Sequence, residues 1–68
     1  MLIRVTVNGA AMACPPGLSG DELLRHLALP AARVAVERNR EIVKRDQRTA
    51  VFVEPDDVFE IVTFVGGG

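Results

Sequence analysis

The sequence predicts an α+β domain: a mixed sheet of four or five strands with one main helix packed on one face. Three observations carry this reading. Short β-branched segments sit at both ends of the chain, a single leucine-rich segment between them carries a complete helix start, and the longest strand-like segment comes last, where it must be buried beside the first.

The elements follow in order. Ile3, Val5 and Val7 alternate with Arg4 and Thr6, the period of a strand with one buried face. Asn8-Gly9 closes a hairpin, because both residues tolerate the positive φ of a type I′ turn. Ala10 to Cys14 is the return strand, ended by Pro15-Pro16-Gly17, since consecutive prolines cannot donate to a ladder. Ser19 is a good N-cap, Glu22 completes a capping box, and Leu18 is placed to staple against Leu23. Leu23, Leu24 and Leu27 share a face and Pro30 biases Leu29 out of helical geometry, so the helix is expected over Gly20 to Ala28.

Val34 and Val36 alternate with Ala35 and Glu37 in a third strand, Asn39-Arg40 makes a turn, and Glu41 to Lys44 returns as a short fourth strand. Arg45 to Thr49 reads as a polar connection and Ala50 to Val53 as a brief extended piece. After the turn at Glu54-Pro55-Asp56-Asp57, Val58 to Val65 is the longest strand. The right-handed crossover rule is compatible with the first and last strands lying parallel in the centre. The expected division is a folded domain over residues 1–65 and a flexible glycine tail over residues 66–68.

Composition narrows the function. A chain of 68 residues is one small domain that buries only about 60% of its unfolded surface, with no room for both a core and an active-site cleft. Its single cysteine, Cys14, excludes an internal disulfide and any multi-cysteine metal site within the chain, so a reducing cytoplasm is the expected compartment. No apolar run approaches the length of a membrane span, so the expectation is a soluble protein without a membrane role. The formal net charge of −1 lacks the basic footprint of a nucleic-acid binder.

Charge is nevertheless segregated: Arg33, Arg38, Arg40, Lys44, Arg45 and Arg48 lie centrally, whereas Glu54, Asp56, Asp57 and Glu60 precede the end. Such runs are either a solvated face or a steering surface, and sequence leaves both readings open. Cys14 is expected to be a small buried hydrophobe, and His26, with no second ligand at helical spacing, a solvated side chain. No catalytic set, metal site or phosphate loop can be composed from these residues, so any nucleotide has to be held by a partner.

Two features remain. In the last strand Phe59, Ile61 and Val65 share one face, and Val58, Glu60, Val62 and Phe64 share the other. One helix covers one face, so Val58, Val62 and Phe64 form an apolar patch that is a docking surface, is covered by a loop, or is no more than scattered exposed apolar side chains. The sequence then closes with Gly66-Gly67-Gly68. Without Cβ atoms these residues fit a narrow channel, and three extended residues reach roughly 10 Å, enough to place a Gly68 carboxylate in another protein's active site.

The residues Val7-Asn8-Gly9, Gly17-Leu18-Ser19, Glu22-Leu23-Leu24, Val34-Ala35-Val36-Glu37-Arg38-Asn39, Ile42-Val43, Asp56-Asp57 and Ile61-Val62-Thr63-Phe64-Val65-Gly66-Gly67-Gly68, in this order and spacing, resemble the ubiquitin-like β-grasp sulfur carriers. The nearest resemblance is to the ThiS family of thiamine biosynthesis, and it covers the whole chain. It implies a β-grasp fold and a protein co-substrate instead of an enzyme. In that pattern Gly68 is adenylated by a ThiF-like adenylyltransferase that uses ATP, no cofactor being bound by the chain itself. The adenylate becomes a thiocarboxylate, with sulfur ultimately from a cysteine desulfurase, and a ThiG-like thiazole synthase accepts the sulfur. Gly66 departs from the small residue frequent there and lengthens the tail. Alternatives on the same fold are a MoaD-like carrier for molybdopterin synthesis, to which the compact stretch from Pro30 to Asp57 is less similar, and a ubiquitin-like protein modifier.

Overall fold

The alternating segment forms strand β1 (Ile3–Val7), with Ile3, Val5 and Val7 buried. Asn8 and Gly9 take φ values of 50° and 82°, and Val7 pairs with Ala10 at the start of strand β2 (Ala10–Cys14), the two-residue hairpin expected. The computed structural model describes residues 1–64.

The capping box forms as read. Glu22 N–H donates to Ser19 Oγ at 3.1 Å, and Ser19 N–H donates to Glu22 Oε1 at 2.8 Å. These bonds, the backbone one first, hold the Glu22 carboxyl below the usual carboxylate range, so the cap persists at neutral pH and is lost only in acid. Helix α1 (Gly20–His26) stops two residues before the expected Ala28. The cause is a Schellman-type end: Leu29 N–H donates to the Leu24 carbonyl and Ala28 N–H to that of Arg25, with Ala28 at φ 58°. Leu23 and Leu24 pack into the core and Leu27 partly so, whereas His26 is exposed.

A 3₁₀ turn (Ala31–Arg33) leads into β3 (Val34–Arg38), and β4 (Glu41–Val43) returns one residue shorter than expected. Lys44 leaves the ladder because it starts a second 3₁₀ turn (Arg45–Ala50). This turn corrects the reading of Arg45 to Thr49 as a polar connection, and Arg48 belongs to neither of the surfaces, solvated or steering, that the sequence left open for the charges. Its side chain is buried, donating Nη1 to the Ala31 carbonyl and Nη2 to that of Val34, both at 2.7 Å. A buried arginine is tolerated here because the unpaired carbonyls of a neighbouring turn and strand start meet its fork. The turn packs so closely on α1 that a Cβ on Gly20 would lie 3.0 Å from the Arg48 carbonyl oxygen.

The piece that follows is extended as expected: Phe52 bridges to Ser19, and Val53 N–H donates to the Leu18 carbonyl at 2.8 Å. Strand β5 is Val58–Thr63, with Phe64 beyond it; the expected end at Val65 and the tail at residues 66–68 lie outside the described residues.

The five strands lie in the order β2-β1-β5-β3-β4. β5 runs parallel to β1, with Thr6 opposite Val58 and Val7 opposite Phe59, and the other pairs are antiparallel. The central parallel pair is the arrangement the crossover rule allowed. Phe59, Leu23, Leu24, Val5 and Cys14 are the largest fully buried side chains. Cys14 is thus the small core residue expected, and burial pushes its thiol up, away from the reactive thiolate.

One turn carries visible strain. Asn39 and Arg40 adopt φ values of 51° and 71°, the geometry of Asn8-Gly9 with an arginine where glycine is favoured. Replacing Arg40→Gly removes a Cβ from the left-handed region and is expected to stabilise the protein by about 0.5–1 kcal/mol. A urea titration checks this; a lower midpoint in the variant would mean that the Arg40 side chain offsets its backbone strain.

Candidate functional site

The helix and both 3₁₀ turns lie against one face of the sheet, and the alternation of β5 turns Val58, Glu60 and Val62 to the other. Val58, Val62 and Phe64 are 45%, 60% and 57% exposed, so no described loop covers the patch expected from sequence. Val62 lies opposite Ala35, and Glu60 opposite Glu37. With Ile42 on β4 these residues line a shallow hollow of about 150 Å³. Ile42, 74% exposed, belongs to the patch and was missed by sequence reasoning. Its signal was present: adjacent apolar residues in a strand, Ile42 and Val43, must point to opposite faces.

The structure does not place the three expected residues together equally. Val62 is in the hollow, whereas Val58 sits at the other end of β5 beside Thr6, with Glu60 between them. Phe64 follows at the point where the chain runs toward Gly66-Gly67-Gly68. Its N–H donates to the Arg33 carbonyl at 2.7 Å, which holds the last described residue against the start of β3.

Two asparagines fix this strand. Beyond the end of β1, the Asn8 side chain mimics one more strand residue: Nδ2 donates to the Ile61 carbonyl at 3.0 Å, and Oδ1 accepts from Ile61 N–H at 2.7 Å. Asn39 does the same at the start of β5, with Oδ1 accepting from Val58 N–H at 2.9 Å and Nδ2 donating to Asp57 Oδ1 at 3.1 Å. Asp57 is buried, and its Oδ2 accepts from Arg38 Nε and from Glu54 N–H, both at 2.9 Å. These bonds fix the strand at Val58 and at Ile61, so its outer side chains are presented on a rigid support.

The acidic run therefore does not form one surface. Asp57 is the internal counter-ion of Arg38, which also reaches Glu54 at 3.3 Å, whereas Glu60 faces outward on the patch. Among the described residues no group of three or more His, Cys, Asp or Glu is placed to hold a metal ion, and no helix is long and apolar enough to cross a membrane. Gly66, Gly67 and Gly68 lie outside the described residues.

A five-stranded mixed sheet with one helix across it, its central strand presenting an apolar outer face, defines a ubiquitin-like β-grasp domain. The chain belongs to the ThiS family, whose model matches residues 5–68. It is similar to the crystal structure of the thiamine biosynthesis protein ThiS from Geobacter metallireducens, with a TM-score of 0.85, 35% identity and coverage of 97% of this chain and 100% of that one. It is 36% identical over 66 residues to a thiazole synthase of Magnetococcus marinus, and matches one of Paramagnetospirillum magneticum equally well. In both cases the match covers 97% of this chain but spans only 20% of the relative's length. A protein named ycf40 from Porphyra purpurea is 32% identical, with 97% and 93% of the two chains covered.

Proposed function

We propose that this chain is a sulfur carrier of thiamine biosynthesis, acting on the thiazole branch. The observation that carries the reading is the exposed apolar face of β5, in a ThiS-family chain, on the strand that continues toward three glycines. A partner grips Val62, Phe64 and Ile42, with Val58 at the margin, and Gly66-Gly67-Gly68 enters its active site. On a ThiF-like activating enzyme the Gly68 carboxylate attacks the α-phosphate of ATP, pyrophosphate leaves, and the acyl-adenylate forms. A persulfide that a desulfurase forms from cysteine then attacks the adenylate carbonyl and displaces AMP, and a thiol such as free cysteine cleaves the resulting acyl disulfide, leaving the Gly68 thiocarboxylate and a disulfide. The thiocarboxylate sulfur is the nucleophile given up to a ThiG-like thiazole synthase. In this reading the chain is a cytoplasmic co-substrate that binds no cofactor, and the nucleotide belongs to the partner. Similarity to two proteins named thiazole synthase supports that acceptor over a molybdopterin one.

Accurate mass on the C-terminal peptide tests this directly. After incubation with a ThiF-like enzyme, ATP, a cysteine desulfurase and cysteine, exchange of one oxygen for sulfur is expected on Gly68. Oxidation of Met1, Met12 or Cys14 adds nearly the same mass, so the peptide must exclude those residues. An unmodified tail with a competent enzyme would overturn the carrier reading, and a link from Gly68 to a lysine would replace it with protein conjugation.

A further inference from the structure

Arg48 carries a permanent positive charge at 3% exposure. Carbonyls of Ala31 and Val34 accept from its two Nη atoms, but its Nε is buried with no acceptor among the described residues. Carbonyls satisfy N–H groups without neutralising charge, and the ion pairs found among the described residues both belong to Arg38. A guanidinium removed from water without a counter-charge is costly, and a nearby anion offsets that cost.

Further cations line a cavity beside Arg48. Arg48 lines this cavity of about 340 Å³ together with Asp21 and Arg25 of α1, Ala31 and Ala32 of the first 3₁₀ turn, and Arg45 of the second. Arg25 and Arg45 are exposed at its rim, and Arg45 is steadied by donating Nη2 to the Ala32 carbonyl. Three arginines and one carboxylate, Asp21, contribute to the lining, and no ion pair joins Asp21 to any of them.

We propose that this cavity binds a small oxyanion of the phosphate class, with Arg48 as its buried floor and Arg25 and Arg45 as the groups that close over the anion. Planar guanidinium forks match tetrahedral oxyanions through paired hydrogen bonds, and the charge excess of the lining matches a phosphate dianion better than a single carboxylate. The site is separate from the carrier chemistry and does not depend on it. It shares the first 3₁₀ turn with Phe64, which bonds to Arg33 on that turn.

Thermal unfolding of the full chain in inorganic phosphate, against sodium chloride at matched ionic strength, tests the site. The expected result is a Tm that rises with the logarithm of phosphate concentration, by about 5–10 °C at tenfold excess over Kd, with saturable amide shifts centred on Arg25, Ala31, Ala32 and Arg45. Arg25→Gln and Arg45→Gln should each weaken binding at least about fivefold without loss of fold, because both side chains are exposed. Pyrophosphate, AMP and acetate identify the source. Tighter binding of AMP or pyrophosphate supports the site with a nucleotide or its product as ligand, and tighter binding of inorganic phosphate supports the free ion. A response equal to that in chloride, a response unchanged in both glutamine variants, or acetate binding as tightly as phosphate would each overturn the proposal.

Discussion

A chain extended by one alanine after Gly68 is expected to lose sulfur transfer completely while unfolding at the same urea concentration as the wild type. On the carrier reading the reacting atoms are those of the Gly68 carboxylate, and an added residue turns that carboxylate into an amide that cannot attack ATP. The new terminal carboxylate then lies up to about 3.5 Å too far along the channel, well beyond the tolerance of a near-attack geometry. The core cluster is made of residues between Ile3 and Ile61, Val5, Leu23, Leu24 and Phe59 among them, so the urea midpoint is expected to stay unchanged. The assay is thiocarboxylate formation by mass alongside a urea titration. Full transfer by the extended chain would exclude Gly68 as the reacting residue and with it the proposed function.

The second large effect concerns docking. Val62→Asp and Phe64→Asp are expected each to weaken binding to the activating enzyme at least about 30-fold, since each removes apolar burial of roughly 2 kcal/mol and introduces a charge to desolvate. Both side chains are more than half exposed in the free protein, so the cost to folding should stay within about 0.5 kcal/mol. Calorimetric titration and urea unfolding of the same variants separate the two effects. Unchanged affinity in both variants would remove the outer face of β5 as the docking surface; a large loss of stability would mean that these residues support the fold instead. Val58→Asp should matter less, because Glu60 already separates Val58 from the hollow around Val62 and Ile42.

The parts of the fold legible in sequence are those encoded within a few residues. Asn8-Gly9 specified its turn because both residues accept positive φ, and Ser19 with Glu22 specified the helix start because the two groups satisfy each other three residues apart. The alternation of β5 likewise announced that Val58, Val62 and Phe64 face away from Phe59 and Ile61. The same local logic overran at the ends of elements. Ala28 carries no glycine signal, yet it takes the left-handed residue of the helix stop, and Lys44 is stripped from β4 by the 3₁₀ turn it starts.

What stayed hidden depends on partners distant in the chain. Asn8 bonds a strand residue 53 positions away, and Asn39 one 19 away, contacts that exist only once the strand order brings β5 between β1 and β3. Asp57 looked like one member of an acidic run and is instead the buried counter-ion of Arg38. Arg48 looked like one of several solvated cations and is buried against the carbonyls of Ala31 and Val34.

By itself the sequence determined the fold class, the hairpin, the helix start, the outer apolar face and the closing glycines, because turn chemistry, capping and periodicity are properties of neighbouring residues. Only the tertiary structure decided that Ile42 joins Val62 in the hollow, and which charged side chains are withdrawn from water. Those outcomes are set by which backbone groups are left without partners once the sheet has closed, and no local pattern records that.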